Sequence, residues 1–188
     1  MIINRVWAMP SKNTFQIKPI KELINKYIFG TIIDPFANNN KIATITNDLD
    51  TQYDTDYHLD AIDFLKNFDD DSVDCVLYDP PYSPRQVSEC YKKLGKTVDF
   101  TTTQSSYWSN QKKEMERIVK KDGVVISCGW NSGGIGKKYG FDIVEILLVP
   151  HGGAHNEYPQ SFRFLTPVEF EISHRCLFYY CFSYFIRT

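Results

Sequence analysis

The sequence predicts an α/β fold in which helices cover both faces of a mostly parallel central sheet. Two observations predict it. Short apolar runs alternate along the chain with segments of helical spacing. Three of these runs are followed by an aspartate. With 188 residues, 43% of them hydrophobic, the chain suits one globular domain with a sizeable core. We therefore expect a single domain over residues 1–188.

The predicted strands are short apolar runs rich in Val, Ile and Thr, residue types that favour extended backbone. Each is bounded by polar or turn-forming residues. A further run at 176–186 is dense in aromatic residues and suits a strand by propensity, although it lacks clean alternation. The six predicted strands are 30–33, 41–46, a shorter one near Tyr57, 73–78, 124–128 and 141–149.

Helical spacing is clearest at 61–65 and at 111–121. Gly123 is expected to end the second of these helices in the left-handed conformation. Between them lies a polar segment at about 83–110, which is long for a loop inside a compact domain. We expect that segment to be functional or to contain a helix of its own.

Composition limits the classes of partner. The net charge of −2 gives no electrostatic preference for nucleic acid over the whole chain, so such a partner requires a local basic patch. The five cysteines are odd in number and lack a Cys-x-x-Cys pair, which predicts reduced thiols and no zinc site. Neither end contains an apolar stretch suited to a signal peptide or a bilayer span. We expect a soluble, cytoplasmic protein.

The most informative residues are Asp-Pro-Pro-Tyr at 79–82, directly after the apolar run 73–78. Prolines donate no backbone N–H, so the carbonyls of Asp79 and Pro80 are expected to accept hydrogen bonds from a donor outside the sheet. Tyr82 offers a flat face, and stacking on such a face is worth about 1–3 kcal/mol for a nucleobase. Both properties suit an aromatic ring with an amino group. A strand-ending turn and an exposed polyproline segment are the structural alternatives.

Aspartates follow three of the predicted strands: Asp34 the first, Asp48 the second and Asp79 the fourth. In an open parallel sheet this carboxyl edge is where ligands bind. An acid after the second strand is the usual partner of the two ribose hydroxyls, which implies a cofactor that contains adenosine. The 34–40 loop has no glycine-rich phosphate cradle, and its three asparagines tolerate left-handed backbone. A cofactor without phosphates fits this loop best.

These motifs resemble those of the S-adenosylmethionine-dependent adenine-specific DNA methyltransferases, especially the small phage-type members. Asp-Pro-Pro-Tyr at 79–82 is similar to their catalytic D-P-P-Y, and Asp-Pro-Phe at 34–36 to their D-P-F cofactor loop. The resemblance covers about residues 7–156, and the two motifs stand about 45 residues apart. It implies a Rossmann-like class I methyltransferase fold, S-adenosyl-L-methionine as cofactor and DNA as partner, with no metal and no membrane.

The resemblance also implies roles for individual residues. Asp34 and Phe36 would hold the methionine end of the cofactor, Asp48 the ribose hydroxyls, and Asp60 with Ala61 would border the adenine. The segment 13–19 resembles the one that closes over the cofactor. The implied catalytic residues are Asp79, Pro80, Pro81 and Tyr82, and the implied cofactor-binding residues are Phe15, Asp34, Pro35, Phe36, Ala37, Asn38, Asp48, Asp60, Ala61 and Asp79.

The implied reaction methylates the exocyclic N6 of adenine, a poor nucleophile whose amino hydrogens would be bound by Asp79 and the Pro80 carbonyl. The base would be flipped out of the duplex and stacked on Tyr82. Basic and aromatic residues after the motif are suited to phosphates and unstacked bases. The candidate nucleic-acid contacts are Arg85, Lys92, Lys93, Tyr107, Trp108, Lys112 and Trp130.

The chain departs from the family pattern in two places. The family loop continues as F-x-G-x-G, where this chain has asparagines at 38–40, and the segment 157–188 does not resemble the antiparallel strand that ends the family's sheet. Two alternatives therefore stand beside the main hypothesis. One keeps the fold and cofactor but acts on RNA adenine or a protein amide. The other is a catalytically silent nucleic-acid-binding protein.

Overall fold

The computed structural model describes residues 1–9, 11, 13–99, 104–129, 133–152 and 177–187, and for 151–152 and 177–185 it describes the backbone alone. Within these ranges the chain is an α/β protein with a mixed, mostly parallel sheet of seven strands. The predicted class is thereby confirmed. No helix in these ranges is long and apolar enough to cross a membrane.

The sheet has the strand order β1-β6-β7-β5-β4-β2-β3. Strand β7 runs antiparallel to both of its neighbours, and the other pairs are parallel. The strands are β1 Ile2–Arg5, β2 Ile32–Asp34, β3 Ile45–Thr46, β4 Val73–Tyr78, β5 Val119–Gly129, β6 Phe141–Gly152 and β7 Leu177–Arg187. The helices in the described ranges are α1 Lys18–Tyr27, α2 Ala61–Leu65, α3 Pro84–Lys93 and α4 Ser105–Ile118.

Helices cover both faces of the sheet because successive side chains of a buried strand point to opposite sides. On one face, Cys75 and Leu77 of β4 join the core cluster that contains Ile20 and Ile24 of α1. On the other face, Val76 of β4 joins a cluster built with α2 and α4. Strand β4 is thus buried on both sides, as its apolar sequence, interrupted only by Asp74, predicts.

The first two predicted strands are shorter than expected. Gly30 has a φ of 61°, in the left-handed region, and a Cβ there would collide with the Asp74 carboxylate. Strand β2 therefore begins only at Ile32. The backbone N–H of Ile32 donates to the side-chain oxygen of Thr44 at 2.8 Å instead of to a backbone carbonyl of the neighbouring strand. Strand β3 therefore contains only two residues. The weak strand expected near Tyr57 is a single parallel bridge between Asn47 and Tyr57.

The boundary between the 111–121 helix and the fifth strand was predicted incorrectly. Helix α4 ends at Ile118, and β5 begins at once because Val119 pairs with Val73. The left-handed residue is Asp122, with a φ of 64°, at an irregularity within β5, and Gly123 is not left-handed. A Cβ at Gly123 would approach the Val119 side chain at 2.7 Å, so glycine is needed there for space rather than for its φ.

Three elements were not predicted as such: β1, α1 and α3. Helix α3 and the start of α4 fill the long 83–110 segment, in agreement with the expectation that it contains a helix. Ser83 caps α3 by accepting from Gln86 N, and Pro84 occupies the first turn, a recognised signal for a helix start. Residues 177–186 of the aromatic run are in strand β7, as their propensity predicts, and Cys176 lies outside the described residues.

Candidate active site

A cleft of about 420 Å³ opens at the carboxyl ends of β2 and β4. Strand β2 lies between β3 and β4 in the sheet. The next strand in the chain, β3, pairs on one side of β2, and the strand after it, β4, pairs on the other side. Open α/β sheets bind ligands at the point where the strand order reverses in this way. Four parts of the chain line the cleft: the turn at 13–16, the loops at 36–40 and 48–53, the Asp-Pro-Pro-Tyr segment at 79–82, and one face of α3 with Tyr107 of α4.

Asp79 is held by two hydroxyl groups. The Tyr82 hydroxyl donates to Asp79 Oδ1, and the Thr14 side chain also hydrogen-bonds the carboxylate. Burial raises the pKa of Asp79, while both hydrogen bonds oppose that rise by stabilising the charged form. No described residue donates to the carbonyl of Pro80. Asp79 and Pro80 therefore present two acceptors at the end of β4.

Helices α3 and α4 fix the backbone of the Asp-Pro-Pro-Tyr segment. Gln86 of α3 accepts from Tyr82 N through its Oε1 at 2.7 Å. Trp108 of α4 donates its Nε1–H to the Pro81 carbonyl at 2.8 Å. Together they satisfy the carbonyl and the N–H of the Pro81–Tyr82 peptide, which favours one conformation of the segment.

Asp34 lies behind the cleft and does not line it, and neither does Pro35. Asp34 Oδ1 accepts from the backbone N–H of Phe36 at 3.0 Å, and this hydrogen bond shapes the start of the 34–40 loop. Its Oδ2 is buried without a hydrogen-bond partner of good geometry, although the Asn40 amide is near enough to favour the charged form. Burial, with the nearby charges of Asp79 and Asp48, raises the pKa of Asp34 well above its usual value.

Asp48 lines the cleft and ties two of its loops together. One carboxylate oxygen accepts from Asn38 N at 2.9 Å and the other from Asp50 N at 2.9 Å. Burial raises the pKa of Asp48, and these two hydrogen bonds oppose the rise. Asn38 has a φ of 53°, so an asparagine does adopt the left-handed backbone for which the loop has no glycine.

Asp60 and Ala61, the predicted neighbours of the cofactor's adenine, do not line the cleft. Asp60 caps helix α2 by accepting from Ile62 N at 3.1 Å and also accepts from the Tyr91 hydroxyl. Tyr91, which does line the cleft, is hydrogen-bonded to Tyr107 as well. The phenol of Tyr91 thus stands between Asp60 and the cleft, and contact of Asp60 with a ligand stays a prediction.

The candidate nucleic-acid residues occupy different environments. Tyr107 and Lys93 line the cleft, where Lys93 is 3.2 Å from Asp50. Arg85 is paired with Glu89 on the exposed side of α3. The remaining members are Lys92, exposed on α3; Trp108, bound to the Pro81 carbonyl; Lys112, bound to the Gly134 carbonyl; and Trp130, which lies outside the described residues.

Two cleft residues were not among the candidates: Gln86, which binds Tyr82, and Asp50, which forms an ion pair with Lys93. The segment 13–19 was a candidate, but the contact of Thr14 with Asp79 was not predicted. Gln86 follows the Ser-Pro helix start at 83–84, a signal that would have placed its side chain near the motif. Contacts between residues far apart in sequence, such as Thr14 with Asp79, have no local signal.

The lining of the cleft combines Asp79, Pro80 and Tyr82 of the motif with the carboxylates of Asp48 and Asp50. Among the described residues, no cluster of three or more His, Cys, Asp or Glu side chains is arranged to hold a metal ion. Comparison of the chain with protein-family models and with curated proteins produced no match.

Proposed function

We propose that this protein transfers the methyl group of S-adenosyl-L-methionine to the N6 amino group of adenine in DNA. One observation carries the proposal. Asp79, held by the hydroxyls of Tyr82 and Thr14, presents its carboxylate beside the Pro80 carbonyl, to which no described residue donates, in the same cleft as Asp48. Two acceptors, an aromatic ring and a ribose-type carboxylate are what an aromatic amine and an adenosine cofactor require.

The sheet also supports the proposal. An antiparallel strand, β7, is inserted between β5 and β6 in an otherwise parallel sheet. This is the ending expected of a Rossmann-like class I methyltransferase fold. We assign residues 1–188 to one methyltransferase domain of this fold. The cytoplasm of a bacterial or phage-infected cell is the proposed site of action, because DNA and the cofactor meet there.

The charge of the cleft fits the cofactor. Its lining includes Asp48, Asp50 and Asp79, while Lys93 is the only cation that the described residues place there. A negatively charged cleft favours a cationic ligand and disfavours phosphates. S-adenosyl-L-methionine has no phosphate and is positively charged at its sulfonium, and it supplies an activated methyl group. Asp48 would accept from the ribose hydroxyls, and Phe36 with the 36–40 loop would contact the methionine end.

The residues of the chain would then act on the adenine. Hydrogen bonds from the N6 hydrogens to Asp79 and the Pro80 carbonyl reduce delocalisation of the nitrogen lone pair into the ring. The nitrogen would attack the methyl carbon. The new N–C bond would form as the sulfur–methyl bond breaks, with the electron pair of that bond staying on sulfur, and N6 would give up one proton to the Asp79 carboxylate. Positioning for this in-line transfer provides much of the rate enhancement. The base reaches this position only after leaving the stack, and Tyr82 provides the face on which it rests.

The decisive experiment measures transfer of a labelled methyl group to duplex DNA, single-stranded DNA and RNA. Asp79→Ala is expected to reduce transfer at least about 100-fold, the scale seen when a group that stabilises the transition state is removed. Asp63→Ala is the matched control, since Asp63 is an exposed carboxylate on α2 paired with Lys66. Label that persists on DNA adenine in Asp79→Ala would exclude the mechanism, and label confined to RNA would change the substrate.

The glycine-poor 34–40 loop supports a second candidate, a silent nucleic-acid-binding protein. Titration calorimetry with S-adenosyl-L-methionine separates the two. The main proposal expects binding in the micromolar range or tighter, and the absence of binding at high micromolar cofactor favours the silent protein.

A further inference from the structure

One end of the cleft lies between helix α3 and the 48–53 loop. The Lys93 ammonium of α3 is 3.2 Å from the Asp50 carboxylate of the loop, so the two elements face each other there. Leu49 of the loop, Tyr91 of α3 and Leu94 at the end of α3 all line the cleft. Two leucines and a phenol ring suit a flat, mostly apolar ligand group that carries few polar atoms.

The hydroxyl of Tyr91 has a fixed direction because its hydrogen is already used. It donates to Asp60 Oδ2, while Asp60 Oδ1 accepts from Ile62 N at 3.1 Å and caps helix α2. Burial raises the pKa of Tyr91, and the hydrogen bond to Asp60 raises it further, so the phenol keeps this hydrogen. Toward a ligand, the Tyr91 oxygen can therefore only accept.

A chain of hydrogen bonds from the core reaches the same hydroxyl. Tyr78 donates to Gln111 Oε1 at 2.8 Å, and both side chains are buried. The amide nitrogen of Gln111 lies on the side of Tyr107, although without a hydrogen bond of ideal geometry. Tyr107 is also hydrogen-bonded to Tyr91, and it is the donor there because the Tyr91 hydrogen goes to Asp60. The hydrogens of both phenols thus stay inside the protein.

The base of an adenosine cofactor would lie at this end of the cleft. Asp48, proposed to hold the ribose hydroxyls, belongs to the same loop as Leu49 and lines the same cleft. Adenine is bonded directly to the ribose, so a ribose on Asp48 places the ring beside this loop and opposite α3. The amino group of adenine donates hydrogen bonds, and Tyr91 offers an acceptor.

We propose that the Tyr91 hydroxyl oxygen accepts a hydrogen bond from the amino group of the cofactor's adenine, and that Asp60 acts through Tyr91 as a positioning residue. This inference rests on the proposed function for its choice of an adenosine cofactor. Asp60 then sets the direction of the Tyr91 hydroxyl and does not touch the base. A base with an oxo group in place of the amino group would set two acceptors against each other and be rejected.

The test is titration calorimetry of the full-length chain with S-adenosyl-L-homocysteine and with S-inosyl-L-homocysteine, which has the oxo group. The wild type is expected to bind the adenosyl compound at least about tenfold more tightly. Tyr91→Phe keeps the ring and removes the acceptor, so the adenosyl affinity should fall about fivefold and the ratio of the two affinities should approach one. Tyr57→Phe is the matched control, since Tyr57 is exposed and does not line the cleft.

Asp60→Asn tests the positioning role by a reversal of preference. Asparagine caps a helix as well as aspartate does, and with its oxygen on Ile62 N its amide nitrogen faces Tyr91. That nitrogen donates to the Tyr91 oxygen, which frees the hydroxyl hydrogen to point into the cleft. The variant should therefore prefer the inosyl compound. Asp63→Asn, on the exposed side of the same helix, should keep the wild-type preference.

Two results overturn the inference. One is a wild-type affinity ratio in Tyr91→Phe. The other is an Asp60→Asn protein that binds both compounds more weakly by the same factor, because a structural role of Asp60 in the cap would have that effect. A ratio that is lost in Asp60→Asn and kept in Tyr91→Phe would assign the contact to Asp60 itself.

Methyl transfer is measured on the same proteins to separate this inference from the proposed function. Transfer by the wild type, together with affinity ratios that neither substitution changes, rejects the role of Tyr91 alone. A ratio that depends on Tyr91 in a protein that transfers no methyl group rejects the proposed reaction and leaves the adenine contact standing. A wild type that binds neither compound at high micromolar concentration rejects both.

Discussion

Asp79 combines an elevated pKa with a role that needs its charge. Burial raises the pKa, and the hydroxyls of Tyr82 and Thr14 lower it by hydrogen-bonding the carboxylate. Only the ionised carboxylate accepts hydrogen bonds from an amino group through both oxygens. The two hydroxyls therefore keep the group available at a pH at which burial alone would protonate it.

Replacement of Tyr82 by Phe tests this balance, because it keeps the aromatic face and removes the hydroxyl. The pKa of Asp79 is expected to rise further, because a hydrogen bond that stabilises the charged carboxylate is lost. Activity requires ionised Asp79, so the acidic limb of the profile of kcat/KM against pH should move to higher pH. The measurement is methyl transfer between acidic and neutral pH.

The control is Tyr53→Phe, which removes a hydroxyl from another residue of the cleft that does not contact Asp79. Its acidic limb should coincide with that of the wild type. Superimposable profiles for wild type and Tyr82→Phe would mean that the hydroxyl does not tune Asp79.

At the scale of elements, the motif depends on two helices that follow it in the chain. Gln86 of α3 and Trp108 of α4 bind the backbone of the Asp-Pro-Pro-Tyr segment from two sides. The segment has two prolines and cannot form ladder hydrogen bonds of its own there, so its conformation is set by these side chains. A strand end becomes an oriented site only when both helices are packed.

Trp108→Phe removes one of these supports while keeping an aromatic side chain. We expect kcat to fall about fivefold, the equivalent of about 1 kcal/mol for one hydrogen bond, with an unchanged dissociation constant for the cofactor. Single-turnover kinetics and titration calorimetry measure the two quantities. Ser109→Ala on the same helix is the control and should alter neither. A weaker cofactor affinity in Trp108→Phe would show that the tryptophan supports the whole cleft instead.

At the scale of the whole molecule, a buried carboxylate joins the N-terminal elements to the sheet. Glu145 of β6 is 3% exposed and accepts from Asn4 of β1 at 2.7 Å and from Lys26 of α1 at 2.7 Å. The Tyr27 hydroxyl donates to it as well. Burial raises the pKa of Glu145, but the hydrogen bonds outweigh that effect and the net shift is downward.

Glu145→Gln is expected to lower the free energy of unfolding at neutral pH by about 2 kcal/mol, a moderate value because Lys26 is half exposed and its charge is screened. Because the pKa of Glu145 is lower in the folded state, its ionised carboxylate stabilises the fold at pH values above the pKa of the unfolded chain, near 4.3. This stabilisation is lost as the pH falls through the folded-state pKa. The difference between the two proteins should therefore shrink in acid. Urea unfolding at a series of pH values measures it.

Asp142→Asn on the same strand provides the comparison, since Asp142 is half exposed and pairs only with exposed Lys137. Its unfolding free energy should stay within about 0.5 kcal/mol of the wild type. A Glu145→Gln effect that is independent of pH would contradict the electrostatic explanation.

Much of the fold and the cleft could be predicted from sequence because the relevant signals are local. The mostly apolar run of β4 and the aspartates at the carboxyl ends of β2, β3 and β4 follow from residue type and position. They predicted the sheet edge at which Phe36, Asn38 and Asp48 meet. Boundaries were less predictable. Long-range pairing of Val73 with Val119 overrode the helical spacing that continued past Ile118.

The sequence by itself determined the α/β class, the edge of the sheet that bears the acids, and the Asp-Pro-Pro-Tyr segment as its most distinctive chemistry, since periodicity and proline geometry act over a few residues. The side chains that complete the site follow from the tertiary structure: Thr14 on Asp79, and Gln86 and Trp108 on the backbone of the Asp-Pro-Pro-Tyr segment. These contacts join residues from separate elements, and packing of the helices onto the sheet alone determines which of them meet.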